Sequence, residues 1–402
     1  MATSPPRQGR ILAWLAGALA LWSAIGMSGA AASVFGNGKG VANSGAVAFK
    51  RVGGPDAPAA YEPLPERFSS AVLDQIRAAG FGHIRLMATA EPLLTDDAAA
   101  LERAAAWLSK QVDRTKAKGL GVVLDVHPWV SGDSPFNQDG IMADPGRREA
   151  LMRALVVLAR HLAAKKEGVA LEVLNEPPCF VNKTPFDWAG AQREMVTRIR
   201  RVAPTLPLVL KGCRDRIDSL VALDARSYAP DPNIYWSFHY YQPSPFVEQS
   251  QKKLHNVPFP PNPALARSLL AMHKMAPAST AVSNPRAVVE LREYLLNGKG
   301  RASVAADLDK LLPWARRNGV PLSRIWMGEW GNLIERSPDT EAIHTDQLRW
   351  LLAVRQEAER RGLTWCNFGI GKNNINFDPA TRFIRADAIK ALGLVSRSAD
   401  IK

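Results

Sequence analysis

Short apolar runs alternate with amphipathic helical stretches along almost the whole chain, and no other feature limits the fold as strongly. The runs fall at Lys39–Asn43, Gly82–Met87, Leu120–His127, from Gly168 to the stop at Pro177, Pro207–Lys211, Asn233–Tyr241, from Arg324 to Glu329, and Leu363–Phe368. Helical spacing between them predicts helices over 65–79, 97–118, 146–166, 186–203, 215–225, 302–318 and 340–361, with a last one at about 385–392. Gly80 and Gly119 stand where two of these helices stop, and Asp96 or Asp97 where one starts, the positions such residues favour. Strands this short and apolar, each followed by a helix, belong to a parallel sheet covered on both faces. About eight units predict an α/β fold closed into a (β/α)8 TIM barrel. The open alternative, a doubly wound sheet, usually carries a glycine-rich phosphate turn after its first strand, and this chain has none. A chain of 402 residues, 47% apolar, has material for a barrel of about 250 residues plus additions. Residues 242–300 break the repeat. Six prolines between Pro243 and Pro263 come first and a helical pattern follows, which reads as an insertion after the sixth strand.

The N-terminus differs in kind. Arg7 and Arg10 precede an uninterrupted apolar stretch from Ile11 to Met27, with small residues at Ala30 and Ala32. This is the pattern of a secretory signal peptide, covering 1–32 and cleaved after about Ala32, and it predicts a secreted or periplasmic protein; the rest, 33–402, is expected to be one barrel domain and a monomer. The alternative is an uncleaved anchor, for which the stretch is slightly short; no other run is long and apolar enough to cross a bilayer, so no stable membrane association is expected after cleavage. The net charge is +13, and +11 without Arg7 and Arg10. The cations are dispersed in short groups such as Arg200-Arg201 and Arg360-Arg361, without the stripe or motif of a nucleic-acid module, so no nucleic-acid partner is expected. Such charge favours solubility and affinity for anionic polymers. Three cysteines, Cys179, Cys213 and Cys366, leave at least one unpaired in an exported chain. Cys179 and Cys213 each fall just past one of two neighbouring strands, and a bridge between adjacent loops and two free thiols both remain open. No His/Cys cluster has metal-ligand spacing and no cofactor motif occurs, so neither a metal nor a cofactor is expected.

Two carboxylates stand where strands end. Glu176 lies just before Pro177 and Pro178, which cannot continue a ladder, and Glu329 closes the apolar run that begins at Arg324. In a barrel the C-terminal strand ends carry the chemistry, and a pair of carboxylates is what cleavage of a glycosidic bond needs. Arg85, His127, Asn175, His239 and Tyr241 occupy similar places on other strands. Taken singly each has an ordinary reading, a satisfied core residue or an aromatic strand edge, but their joint placement does not.

On these residues the chain resembles glycoside hydrolase family 5, the cellulase family, from about Gly40 to Phe368. Leu174-Asn-Glu-Pro177 resembles the acid/base strand end, with Glu172 matching a glutamate often found there. Gly328-Glu-Trp-Gly331 resembles the nucleophile motif, and Phe238-His-Tyr-Tyr241, Asp125-Val-His127 and His83-Ile-Arg85 resemble the family's histidine–tyrosine, histidine and arginine strand ends. The resemblance implies Glu329 as nucleophile, held ionised by Arg85 and Tyr241, and Glu176 as acid/base, with the two carboxyl groups about 5–5.5 Å apart. Asn175 would bind the sugar 2-hydroxyl, and His127 and His239 would position sugar and carboxylates. Trp129, Trp330 and Tyr240 are candidates for sugar stacking, as is Trp236, whose mid-strand place suits a core residue better. The sequence departs from the family at Phe368, where the eighth-strand platform is usually Trp, at Pro128 in place of a second histidine, and at Arg214 or Arg216 in a region where Trp is common. The implied activity is that of an exported retaining glycosidase acting on β-linked polysaccharide, in the first place an endo-β-1,4-glucanase. Alternatives are a mannanase or an exopolysaccharide-processing glycosidase, and a non-catalytic polysaccharide-binding barrel, against which the presence of both carboxylates argues.

Overall fold

Eight parallel strands close on one another in the computed structural model, each lying between its neighbours in sequence. They are β1 (Lys39–Val47), β2 (His83–Thr89), β3 (Gly121–His127), β4 (Val169–Glu172), β5 (Leu208–Lys211), β6 (Ile234–Tyr240), β7 (Ile325–Trp330) and β8 (Thr364–Ile370). The structure describes residues 34–394 apart from 48, 53–59, 64–68, 129–134, 166, 229–230, 276–284, 336–337 and 371–374. The N-terminal segment read as a signal peptide and Trp129 both lie outside the described residues.

The (β/α)8 barrel follows from the alternation, with some boundaries moved. The predicted helix over 302–318 is two helices, Arg301–Asp309 and Leu311–Asn318, and the one over 215–225 shrinks to Ile217–Val221 after a turn of 3-10 helix at Cys213–Asp215. Local signals fix the helix starts. The Asp97 carboxylate accepts from the backbone N–H groups of Ala99 and Ala100, and Asp144 caps a helix with Pro145 at its first position, both satisfying amides that a helix leaves unbonded. After β6 come helices at Ser244–Val247, Ala266–Met275 and Pro285–Asn297, inside the stretch read as an insertion.

One inward-facing residue from every strand forms a buried layer: Ala42, Met87, Val123, Ala170, Val209, Tyr235, Trp326 and Cys366. Phe35 closes the N-terminal end of the barrel by packing on His83, Tyr235 and Trp326, with ring centroids 5.2, 4.8 and 5.3 Å away. Because side chains alternate across a strand, two residues farther on the same face carries Asp125 on β3, Glu172 on β4 and Lys211 on β5. The apolar floor thus gives way to charge in one step towards the C-terminal mouth.

β7 breaks that alternation. Its pairing with β6 passes from Met327 opposite Phe238 to Glu329 opposite His239, and its pairing with β8 from Met327 opposite Trp365 to Trp330 opposite Asn367. Both neighbours see one extra residue on β7, which is a β-bulge at Gly328. The bulge reverses the facing of everything after it: Glu329 turns into the mouth and Trp330 turns out. Trp330 is therefore no sugar platform; it is fully buried between the barrel and its helices, against Trp365 of β8 and Trp350 of the helix His344–Arg360. Tyr240 also leaves the list of stacking candidates, being buried with its hydroxyl on Asp307, and Trp236 is a core residue between Tyr228 and Trp314.

A side chain at Gly328 has no room, since a Cβ there would lie 2.4 Å from Ser237 Oγ. Gly328→Ala is expected to lower the unfolding free energy by about 1–3 kcal/mol, the usual range for overpacking. Ser237 Oγ is buried without a hydrogen-bond partner, so Ser237→Ala alone should be close to neutral and should recover part of the loss in the double variant. Urea midpoints of the three variants measure this.

Candidate active site

The fully buried Arg85 on β2 gathers the mouth of the barrel around one guanidinium. Its Nε and Nη2 donate to the two oxygens of Glu172 at 2.7 and 2.8 Å, and Nη2 also reaches Asn175 Oδ1 at 3.0 Å and Asp125 Oδ2 at 2.9 Å. Nη1 donates to Glu329 Oε1. The other oxygen of Glu329 accepts from the Tyr241 hydroxyl at 2.9 Å. Lys211 on β5, also fully buried, bonds Glu172 and lies 2.9 Å from Asp215 Oδ2. His127 turns Nδ1 to Asp125 at 2.7 Å and brings Nε2 to 3.5 Å from the Asn175 amide.

Glu176 sits opposite. Its φ is +43°, and Arg214 and Asp215 on the next loop have φ of +54° and +50°. Left-handed backbone at a non-glycine residue costs about 1–3 kcal/mol and persists only where surroundings enforce it. Here the two loops are tied three times: the Cys179–Cys213 disulfide, Arg214 N–H to Pro177 O at 2.6 Å, and Glu176 N–H to Asp215 Oδ2 at 3.2 Å. The bridge left open by the sequence is formed, and Cys366 is the buried free thiol. His239 links the halves of the site. Its Nδ1 is 3.0 Å from Glu176 Oε1 and 3.5 Å from Glu329 Oε2, and its Nε2 is 3.0 Å from Asp215 Oδ2.

One oxygen of Glu176, one of Glu329 and a nitrogen of His239 lie within 4.8 Å of one another. The two carboxylates differ in setting: the Glu176 side chain is 35% exposed and that of Glu329 7%. Burial alone would push the Glu329 carboxyl up, but His239, then Arg85 and His127, with the Tyr241 hydroxyl, outweigh it and hold it at about 2. His239 is the converse: burial disfavours its charge, and Glu329 and Asp215 raise it to about 10. Burial, then Glu329, pushes the Tyr241 hydroxyl well up, so it stays a donor. The geometry thus supplies one permanently ionised carboxylate and, beside it, a second that solvent and ligand can reach.

The model for cellulase, glycosyl hydrolase family 5, matches residues 58–374. The chain belongs to this family. Its members hydrolyse O-glycosyl bonds. Endoglucanase 3 of Fibrobacter succinogenes is 25% identical to this family-5 chain over 273 residues, 66% of the chain and 39% of that protein, so the chain spans well under half of that relative. In structure it is similar to cellulose synthase subunit Z of Clostridioides difficile, with TM-score 0.60 and 22% identity over 88% of this chain and 98% of that one. Endoglucanase Cel5A of Thermotoga maritima gives 0.62 and 19% over 90% and 98%. Likeness at such identity establishes the barrel.

Of the residues singled out in the sequence, Arg85, His127, Asn175, Glu176, His239, Tyr241 and Glu329 converge, and the half-buried Phe368 packs on the inward layer nearby. Arg214 and Arg216 line a polar cavity of about 440 Å³ beside Glu176, with Gln242, Asp307 and Lys310. Sequence reasoning missed Lys211 and Asp215. Their signal was a lysine ending an apolar strand with an aspartate four residues on. Among the described residues, Glu172–Asp215–His239 and Glu176–His239–Glu329 could hold a metal ion by spacing. In the first, Lys211 Nζ already serves both carboxylates and would repel a metal ion.

These shifts give stability a pH dependence of defined sign. Glu329, depressed from 4.5 to about 2, contributes stability that is present above pH 4.5 and lost as pH falls through about 2. His239, raised from 6.5 to about 10, contributes stability that is full below pH 6.5 and lost as pH rises through about 10. Denaturation midpoints should therefore decline from about pH 7 to 10, and His239→Gln, though less stable, should show a flatter decline over that range.

Proposed function

We propose that the chain is a retaining glycosidase that cleaves β-linked glucan within the polymer, an endo-β-1,4-glucanase in type. The observation that carries this is the close approach of two carboxylates in unlike settings, within 4.8 Å by their nearest oxygens. Carboxyl groups this close leave no room for an attacking water and suit a covalent glycosyl-enzyme. Glu329 is the nucleophile. It is buried and kept charged by Arg85, His239 and Tyr241, so it attacks the anomeric carbon as the bond to the leaving oxygen breaks. Glu176, open to the cavity, donates its proton to that oxygen, then takes a proton from the water whose oxygen attacks the anomeric carbon and releases Glu329. Asn175, held by Arg85, binds the sugar 2-hydroxyl, a contact that strengthens in the transition state. His127 and Phe368 complete the sugar-facing surface.

Export is part of the proposal and rests on Arg7, Arg10, the apolar stretch to Met27 and the small residues at Ala30 and Ala32. No helix of the described residues is long and apolar enough to cross a membrane. A second reading of the substrate, mannan or a bacterial exopolysaccharide, is favoured by exposed Arg214 and Arg216 beside Glu176, where stacking tryptophan is common in the family. Reducing-sugar release from a panel of glucans, mannans and acidic exopolysaccharides decides between them.

Glu329→Gln keeps the shape and removes the nucleophilic charge. It is expected to lower turnover by about a hundredfold or more while retention on a polysaccharide gel persists; substantial residual turnover would reassign the nucleophile. The stereochemical outcome is a separate check. Proton NMR of the first product from a β-linked oligosaccharide should show the β-anomer, and initial appearance of the α-anomer would mean inversion.

A further inference from the structure

We propose that Asp215 is a positioning residue for the reaction, holding His239 doubly protonated between the two candidate catalytic carboxylates. The catalytic part of this rests on the glycosidase reading above. The geometric part does not. Both ring nitrogens of His239 face carboxylate oxygens, Nε2 at 3.0 Å from Asp215 and Nδ1 at 3.0 Å from Glu176 and 3.5 Å from Glu329. A neutral imidazole would turn a lone pair towards one of them, whereas an imidazolium donates to both sides.

Asp215 is built into that place. It is fully buried, it sits on left-handed backbone with Arg214, and its Oδ2 takes contacts from Lys211 Nζ, His239 Nε2 and the Glu176 N–H. The Cys179–Cys213 bridge anchors its loop. The ordinary alternative is that Asp215 only neutralises Lys211. Lys211 already has Glu172, however, and the strained turn of Arg214 and Asp215 is what carries the carboxylate to the ring.

The charged and titratable groups facing His239 come from every neighbouring strand: Glu172 on β4, within 4.8 Å of a ring nitrogen, Glu176 beyond β4, Asp215 beyond β5, Tyr241 beyond β6 and Glu329 on β7. Arg85 and His127 lie behind Glu329, and Lys211 behind Asp215. Removing Asp215 takes away the carboxylate nearest Nε2 and leaves Glu172, within 4.8 Å of a ring nitrogen but already paired with Arg85 and Lys211. The charge on that side of the ring then loses its 3.0 Å counter-ion, the cation weakens, and Glu329 loses part of the attraction that keeps it ionised.

Nitrogen-15 NMR of the imidazoles in the resting protein, with His239 assigned by loss of its signals in His239→Gln, reads the first part without any substrate. Wild-type His239 should remain doubly protonated through pH 8, and titration near or below 6.5, its ordinary value, overturns the proposal whatever the variants do. In Asp215→Asn the His239 midpoint should fall by about one pH unit or more, a tenfold change in the protonation constant. In Lys211→Met, which loosens the same corner but leaves Asp215 in place, it should not fall. An unchanged midpoint in Asp215→Asn, or an equal fall in both variants, refutes it. In turnover, the acid limb of kcat/KM for Asp215→Asn should move to higher pH; a uniform loss without a shifted limb would reduce Asp215 to a structural role. If the wild type hydrolyses none of the glucans, mannans and exopolysaccharides while the NMR results hold, it is the glycosidase reading that fails.

Discussion

Arg85 meets carboxylates from three other strands, Asp125, Glu172 and Glu329, and the upper barrel depends on that meeting. A buried carboxylate without a cation is strongly disfavoured, so none of the three could stand alone at these depths. Lys211 shares the load on the β4–β5 side by binding Glu172 and Asp215. The two cations divide the mouth: Arg85 serves the nucleophile candidate, and Lys211 supports the loop that steadies His239. Taking out one partner of such a buried pair costs about 3–5 kcal/mol, which couples the electrostatics of the site to the stability of the barrel around it.

Unequal burial distinguishes the two glutamates. Glu329 is enclosed and surrounded by donors, a setting in which charge is fixed before any substrate arrives. Glu176 stands partly in solvent on a strained turn, with His239 Nδ1 3.0 Å from its carboxyl group. A group that must give up and regain a proton needs such an opening, and the cavity flanked by Arg214 and Arg216 supplies it.

The sequence was legible where a single period or motif carried the message. Strand and helix alternation predicted the barrel, and the strand-end polar residues predicted most of the side chains that converge. Trp330 reads as a sugar platform because it adjoins Glu329 in the strand-end motif; a bulge at a glycine leaves no pattern distinct from an ordinary strand glycine, and only the pairing on both sides shows that the two face opposite ways. Asp215 was hidden for a related reason: its place depends on two left-handed residues, Arg214 and Asp215, neither of which is the glycine or asparagine that announces such a turn. Lys211 looked like the polar end of a strand, yet it is wholly buried because two carboxylates meet it there.

The Cys179–Cys213 bridge lies beyond the carboxylates on their outer side, between the loop that carries Glu176 and the loop that carries Asp215. Such bonds form in oxidising compartments and are rare in the cytosol. In reduced form the chain would carry two thiols at this corner, with the Arg214–Pro177 and Glu176–Asp215 hydrogen bonds still joining the strained turns. The corner is therefore completed by oxidation, and until then the turns that set Glu176 and Asp215 against His239 are held without a covalent tie.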